Sequence, residues 1–190
     1  MGTPVLHLLA GPNGAGKSTF VDDHLQPSTG LRFVNADMLA AERWPGEELE
    51  HAYEASRAAA EMRQELLAEG RSFITETVFS HQSKVDLVAQ AAARGYLVQL
   101  HVILVPVALS VTRVALRIQQ GGHDVPEDKI RARYDRLWPL VAEARDMADR
   151  TTFYDNSSAA RPFRVVATCW RGRLAGDPAW PRWAPRVLVE

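Results

Sequence analysis

The chain has 190 residues, enough for one domain in which helices cover both faces of a sheet. Its apolar share of 46% and charged share of 24% are those of an ordinary globular protein, which argues against disorder as the default outside the ends. With 22 basic and 23 acidic residues the formal net charge is -1, so no excess of positive charge is available to hold a long polyanion. The local cluster Arg131, Arg133 and Arg136 suits a few phosphates better than a duplex. Cys169 is the one cysteine, which excludes an intrachain disulfide and fits a reducing cytosol. The N-terminal stretch lacks the charged region and cleavage site of a signal peptide. The longest apolar run, Leu97 to Leu109, is broken by Gln99, His101 and Pro106 and is too short to span a bilayer. A cytoplasmic protein is expected, with no membrane and no nucleic-acid partner.

In chain order, Val5–Ala10 (VLHLLA) reads as a short buried strand, and a helix is expected over 17–25. A second strand is expected over 32–36. Glu47 to Glu69 is rich in Ala, Glu, Arg and Leu and reads as a long helix closed by Gly70. A third strand is expected over 72–77, and a helix over 83–94 ending at Gly95. A fourth and central strand is expected over 96–105, then a helix over 108–119 stopped by Gly121-Gly122. The pattern predicts a helix over 127–150 with a bend at Pro139, and late strands over 151–154 and 163–170.

The last segment, 176–185, holds three prolines and two tryptophans and reads as a packed or partner-binding tail. Residues 1–175 are therefore expected to form one domain and 176–190 a Pro/Trp-rich tail. Strands alternating with helices predict an α/β fold, a three-layer sandwich around a mainly parallel sheet, with ligands beyond the carboxyl ends of the strands.

The motifs fall at those ends. Gly11-Pro12-Asn13-Gly14-Ala15-Gly16-Lys17-Ser18, followed by Thr19, matches G-x-x-x-x-G-K-[ST] in full, between an expected strand and an expected helix. Its glycines let backbone N–H groups converge on one phosphate, and the following helix adds its positive end. Lys17 can reach the β- and γ-phosphates of ATP, and the Ser18 hydroxyl is placed to ligate Mg²⁺. A glycine-rich turn that binds nothing is the alternative, and the context argues against it. The N-K-x-D base-reading motif of GTPases and the L-S-G-G-Q signature of transporter ATPases are missing.

Asp37 follows the second strand, where a carboxylate can act as general base or help to hold the metal; the alternative is a helix N-cap. Glu76 and Thr77 end the third strand and can bind the acceptor. A plain strand-end carboxylate, or a cap for Thr77, is the alternative. Arg113 and Arg117 share a helix face, and the glycine hinge leads to Arg131, Arg133 and Arg136. Together they make an arginine-bearing helical lid able to clamp a transferred phosphoryl group. The alternative is a solvated surface paired with Glu127, Asp128 and Asp135. His123 reads as a turn residue.

These motifs, with Asn35-Ala36-Asp37, Thr75-Glu76-Thr77, Gly121 to Pro126 and Tyr154-Asp155-Asn156, resemble the zeta-toxin family of P-loop kinases in its compact bacterial branch, over most of 5–157. The resemblance implies a kinase that moves the γ-phosphate of ATP to the 3′-hydroxyl of UDP-N-acetylglucosamine. It implies Lys17 as the phosphate lysine, Asp37 as general base and Glu76 as the acid on the acceptor side. Arg117 and Arg133 become the pair that stabilises the transferred phosphate, with Arg131 as the alternative to Arg133. It also allows an antitoxin protein partner. A different metabolite or an antibiotic as acceptor, or a nucleotide-dependent regulator that works by binding alone, are the other readings.

Overall fold

A computed structural model of the chain describes residues 2–119 and 125–190. The element order is β1 (Val5–Ala10), α1 (Lys17–Phe20), a π-helical turn (Val21–Leu25), α2 (Gln26–Thr29), β2 (Arg32–Val34), α3 (Ala36–Arg43), α4 (Ala52–Ala68), β3 (Phe73–Thr77), α5 (Ser83–Ala93), β4 (Leu97–Leu104), α6 (Val107–Gln119), α7 (Glu127–Met147), β5 (Arg150–Asp155), β6 (Arg164–Trp170), β7 (Arg173–Leu174) and α8 (Arg186–Val189).

The strands form one sheet in the order β2-β3-β1-β4-β5-β6-β7. The run from β2 to β5 is parallel, and β6 and β7 join antiparallel. Strand β4 is central, as its mostly apolar sequence predicts: a parallel strand covered on both faces has little polar surface to show, and within it Gln99 and His101 are the only polar residues. The α/β, mainly parallel architecture expected from the alternating elements is the one observed.

Strand periodicity sorts side chains into two cores. Leu6, Leu8, Ala10, Leu100, Val102 and Leu104 face one side, where Leu67 of α4, Val88 of α5 and Val141 of α7 cover them. Leu9, Ile74 and Ile103 face the other, under Phe20, Val21 and Leu25 of the first helical run. Two cores on opposite faces of one sheet make the three layers.

Several boundaries move for local reasons. Helix α4 begins at Ala52 and not at Glu47; residues 48–51 form a turn, with Trp44 stacked on His51 at 4.7 Å between ring centroids. Its end is as expected, with Gly70 at φ 64. Helix α7 ends at Met147, short of Arg150, which opens β5. Ala148 turns to extended backbone there, and the Asp149 carboxylate after it accepts from the Val98 amide at 3.0 Å and from Arg171 at 3.1 Å, binding the chain to the sheet. Pro139 lies inside the unbroken helix. The Gly121-Gly122 hinge and His123 lie outside the described residues. Trp180 packs edge-on against Phe153 at 4.9 Å, Trp183 lies against the main core and Leu188 is buried, so the last segment covers the β5–β6 side of the sheet.

A candidate phosphate-transfer site

Strand β1 lies between β3 and β4; the chain leaves β1 toward the β2 side and leaves β4 toward the β5 side, so the connections diverge and a crevice opens at their carboxyl ends. The phosphate loop starts there. Gly11 has φ 155, and a Cβ on it would lie 2.6 Å from the Ile103 carbonyl oxygen. Gly16, at φ 90, would put a Cβ 2.7 Å from Asn156 Nδ2. Both positions demand glycine on conformational and steric grounds.

The loop is braced from outside the motif. Asn156 Nδ2 donates to the Ala15 carbonyl at 2.8 Å, and Ser110 Oγ donates to that of Asn13 at 2.5 Å. Arg113 donates to the carbonyls of Gly14 at 3.3 Å and Asn156 at 2.9 Å. Arg113 thus ties the loop to the end of β5, a role separate from that of Arg117, its neighbour one turn on.

Inside the loop, Lys17 Nζ donates to the carbonyls of Gly11 at 3.1 Å and Pro12 at 3.0 Å. Burial pushes its pKa down; Glu76 counters this most, Arg117 adds to the lowering, and Asp37 pulls it back up. Ser18 Oγ donates to the Glu76 carboxylate, with both oxygens at 3.1 Å. Asn35 Nδ2 donates to Glu76 Oε1 at 2.8 Å. Burial pushes the Glu76 carboxyl up, against the pull of Lys17 and the two side-chain hydrogen bonds, and with the Asp37 charge acting in the same direction as burial. Glu76 therefore sits beside the Ser18 hydroxyl, on the phosphate side of the crevice.

The helix cap beside Asp37 is Asn35, whose Oδ1 accepts from the Asp37 amide at 2.7 Å and the Met38 amide at 3.4 Å. Asp37 is exposed in the first turn of α3, and its carboxylate lines the crevice without capping. Thr77 also caps no helix; its Oγ1 accepts from the Phe79 amide at 3.1 Å in the loop after β3.

One cavity of about 1080 Å³ gathers most of the predicted residues: Asn13 to Thr19, Asp37, Glu76, Thr77, Arg117 and Arg133. Gly11 and Pro12 lie buried beneath it. Among the described residues, neither Arg117 nor Arg133 has an ion pair, so both guanidinium groups are free to meet an anion. Arg131 is instead paired with Glu127 at 2.7 Å, and Arg136 does not line the cavity. The alternative of a salt-bridged surface holds for Arg131, while Arg133 faces the crevice. Tyr134 helps to set that orientation, since its hydroxyl donates to the Val105 carbonyl at 3.0 Å and anchors α7 to the end of β4. A second cavity of about 610 Å³, at the opposite end of β4 beside Leu97 and Trp170, holds none of the motif residues.

A family model described as "AAA domain" matches residues 6–140. The chain belongs to the AAA domain family. No curated protein matches. The fold is the α/β fold of P-loop NTPases, and several solved structures share it. The PezAT chromosomal toxin-antitoxin system of Streptococcus pneumoniae gives a TM-score of 0.60 at 17% identity, over 82% of this chain and 69% of that one. The AvrRxo1-ORF1:-ORF2 complex with ATP gives 0.62 at 18% identity, over 91% of this chain and 60% of that one. Shikimate kinase from Acinetobacter baumannii, in complex with shikimate, gives 0.55 at 24% identity, over 84% of this chain and 88% of that one.

This AAA domain also uses residues that sequence reading passed over. No local motif assigns the role of Asn156 in bracing the phosphate loop, or the double duty of Asn35 to α3 and Glu76. Ala52, Ser56 and Arg63 of α4, with Ser80 and Lys84 around the start of α5, form the cavity wall facing the phosphate loop. Spacings of four and seven residues put Ser56 and Arg63 on the Ala52 face of α4, a signal available in the sequence but not specific enough to act on. Among the described residues no helix is long and apolar enough to cross a membrane.

Proposed function

We propose that the protein is an ATP-dependent kinase of a small molecule, with UDP-N-acetylglucosamine as the leading acceptor. One observation carries the reading: Lys17, Asp37, Arg117 and Arg133 line a single cavity with the phosphate loop. Phosphoryl transfer needs little covalent chemistry from a protein and much positioning and charge compensation. In this reading the loop amides and Lys17 hold the β- and γ-phosphates. The Asp37 carboxylate accepts the proton of the acceptor hydroxyl as its oxygen bonds to the γ-phosphorus. The bond from that phosphorus to the bridging oxygen breaks, and ADP leaves with the electron pair. Arg117 and Arg133 balance the negative charge on the moving group.

The donor set fits Mg²⁺. The Ser18 hydroxyl, the Glu76 carboxylate beside it and the Asp37 carboxylate are hard oxygen ligands. Among the described residues no three acidic, histidine or cysteine side chains cluster into a metal cage. Mg²⁺ suits such a sparse site, because it keeps waters and takes substrate phosphates as ligands. When bound, the ion neutralises charge on the β- and γ-oxygens. Glu76 then belongs with Ser18 and the phosphates, a departure from the acceptor-side role that the zeta-toxin resemblance implied.

Likeness in fold to shikimate kinase supports a second reading, in which the acceptor is another small metabolite. The likeness to a structure described as a toxin-antitoxin system supports an antitoxin-type protein partner as part of the first. A kinase drawing on ATP, with Cys169 free and buried, fits the cytoplasm.

The test is transfer of label from γ-labelled ATP in Mg²⁺ buffer, with and without UDP-N-acetylglucosamine. Label on the sugar nucleotide is expected with the unmodified protein. Lys17→Ala abolishes it, and Asp37→Ala lowers the rate by about 10²–10⁴-fold, the usual weight of a general base. ATP binding without label on that acceptor rejects UDP-N-acetylglucosamine. Transfer rates equal for Asp37→Ala and the parent reject the base.

A further inference from the structure

The smaller core covers only part of its face of the sheet. Its buried helical residues, Phe20, Val21 and Leu25, lie over Leu9, Ile74 and Ile103 on β1, β3 and the carboxyl half of β4. Strand pairing carries the same face onward through a row of neighbours: His7, Gln99, Arg150, Trp170 and Arg173. Trp170 stays 52% exposed in that row, and Leu97, two residues from Gln99 and on its face, stays 42% exposed. The last segment of the chain does not cover them. It joins the larger core on the opposite face through Trp180, Trp183 and Leu188. The second cavity, about 610 Å³, lies over this bare ground between Leu97, Gln99, Trp170 and Arg173.

Strands β4 and β5 are parallel, and parallel strands ordinarily carry helices on both faces. The uncovered width is that of β4, β5 and β6. Strands about 4.8 Å apart make this a slot for one helix of about 10–12 Å diameter. The residue types are those of an interface centre, where Trp and Arg are enriched and carry most of the binding energy. Arg150 lies over the Trp170 ring at 5.3 Å from its centroid.

Charge selects among the occupants. The row holds no carboxylate. Arg171 beside it is paired with Asp149 at 3.1 Å, but among the described residues neither Arg150 nor Arg173 has a hydrogen bond or ion pair. A second copy related by a two-fold axis would set this row against itself, cation against cation. A nucleic acid needs a longer basic track, and the chain as a whole has a net charge of -1. An acidic segment of another protein meets neither objection.

We propose that the face around Leu97 and Trp170 docks an acidic amphipathic helix of a protein partner. Its apolar side covers Leu97 and Trp170, and its carboxylates pair with Arg150 and Arg173. The surface lies at the amino ends of the parallel strands, away from the phosphate loop, so the docking is independent of the kinase reading.

The test puts p-benzoylphenylalanine in place of Gln99 in the full chain, within the cells that make it, and cross-links by light. Mass spectrometry reads the attached segment. One partner segment with more acidic than basic residues is expected. The yield is expected to fall about tenfold with Arg173→Glu and with Trp170→Ala, and to persist with Arg173→Lys. A synthetic peptide of that segment is expected to gain helix by circular dichroism on binding the purified protein. It binds more weakly at high salt and leaves the affinity for AMP-PNP, a non-hydrolysable ATP analogue, unchanged. Arg173 is exposed, so its exchange spares the core, and thermal melts verify that each variant is folded. Attachment to a second copy of this chain, to nucleic acid or to a segment without an acidic excess overturns the proposal. So does no attachment, or an undiminished yield from folded Arg173→Glu.

Discussion

At the level of single side chains, the site separates residues that look alike in sequence. Arg131 and Arg133 are two positions apart on one helix, so they point to different sides; Arg131 pairs with Glu127 and Arg133 enters the cavity. Arg133→Ala is expected to lower the transfer rate by about 10²–10³-fold, as for loss of one donor to a transition-state charge. Arg131→Ala is expected to change it less than about twofold and to cost under ~1 kcal/mol, as for an exposed ion pair. Steady-state kinetics of the two variants decide between them, and equal losses would reject the assignment of Arg133.

Glu76 yields a prediction with a definite sign. Its folded-state pKa is raised, chiefly by burial, so folding favours the protonated acid. The ionised group therefore weakens the empty protein as pH rises past the ordinary carboxylate value, and the effect is complete above the raised one. Glu76→Gln removes it, so the variant's gain in Tm over the parent is larger at pH 8 than at pH 4.5. Melting curves at the two pH values test this, and a gain independent of pH rejects it.

Among the elements, α3 shows how a cap can aim a catalytic candidate. Asn35 holds the first turn of α3 through Oδ1 and Glu76 through Nδ2, so one side chain links β2, β3 and the residue Asp37. Asn35→Ala is expected to destabilise by ~1 kcal/mol through the lost cap and to lower transfer activity as well. Asn35→Asp keeps the cap, but it sets a carboxylate against Glu76, so it retains more α3 stability and still loses activity. Denaturant melts together with kinetics separate the two effects, and full activity in Asn35→Asp would remove the link to Glu76. The same economy holds on the other side of the loop, where Arg113 and Asn156 join α6 and β5 to the phosphate loop.

Across the whole molecule, the two cores fix the sheet while the cavity collects residues from both of its sides. The final segment contributes to the larger core: Trp180 meets Phe153, and the Ala179 amide donates to the Val166 carbonyl at 2.7 Å. Trp180→Ala is expected to destabilise by about 3 kcal/mol, the lower end for a large aromatic removed from a core. A thermal or urea melt checks this, and a change within about 0.5 kcal/mol would mean that the segment only rests on the surface.

The short apolar run of β1, the full G-x-x-x-x-G-K-[ST] motif and the Gly70 and Gly95 stops were legible along the chain, because each depends on neighbours within a turn or a strand. The α/β class and the central place of β4 followed from the same short-range rules. The pairing of Ser18 with Glu76, 58 residues away, did not. Nor did the bracing of the phosphate loop by Asn156, or the split between Arg131 and Arg133. Those depend on which faces the packed helices turn toward the sheet, and that is settled by burial of whole surfaces rather than by any local spacing.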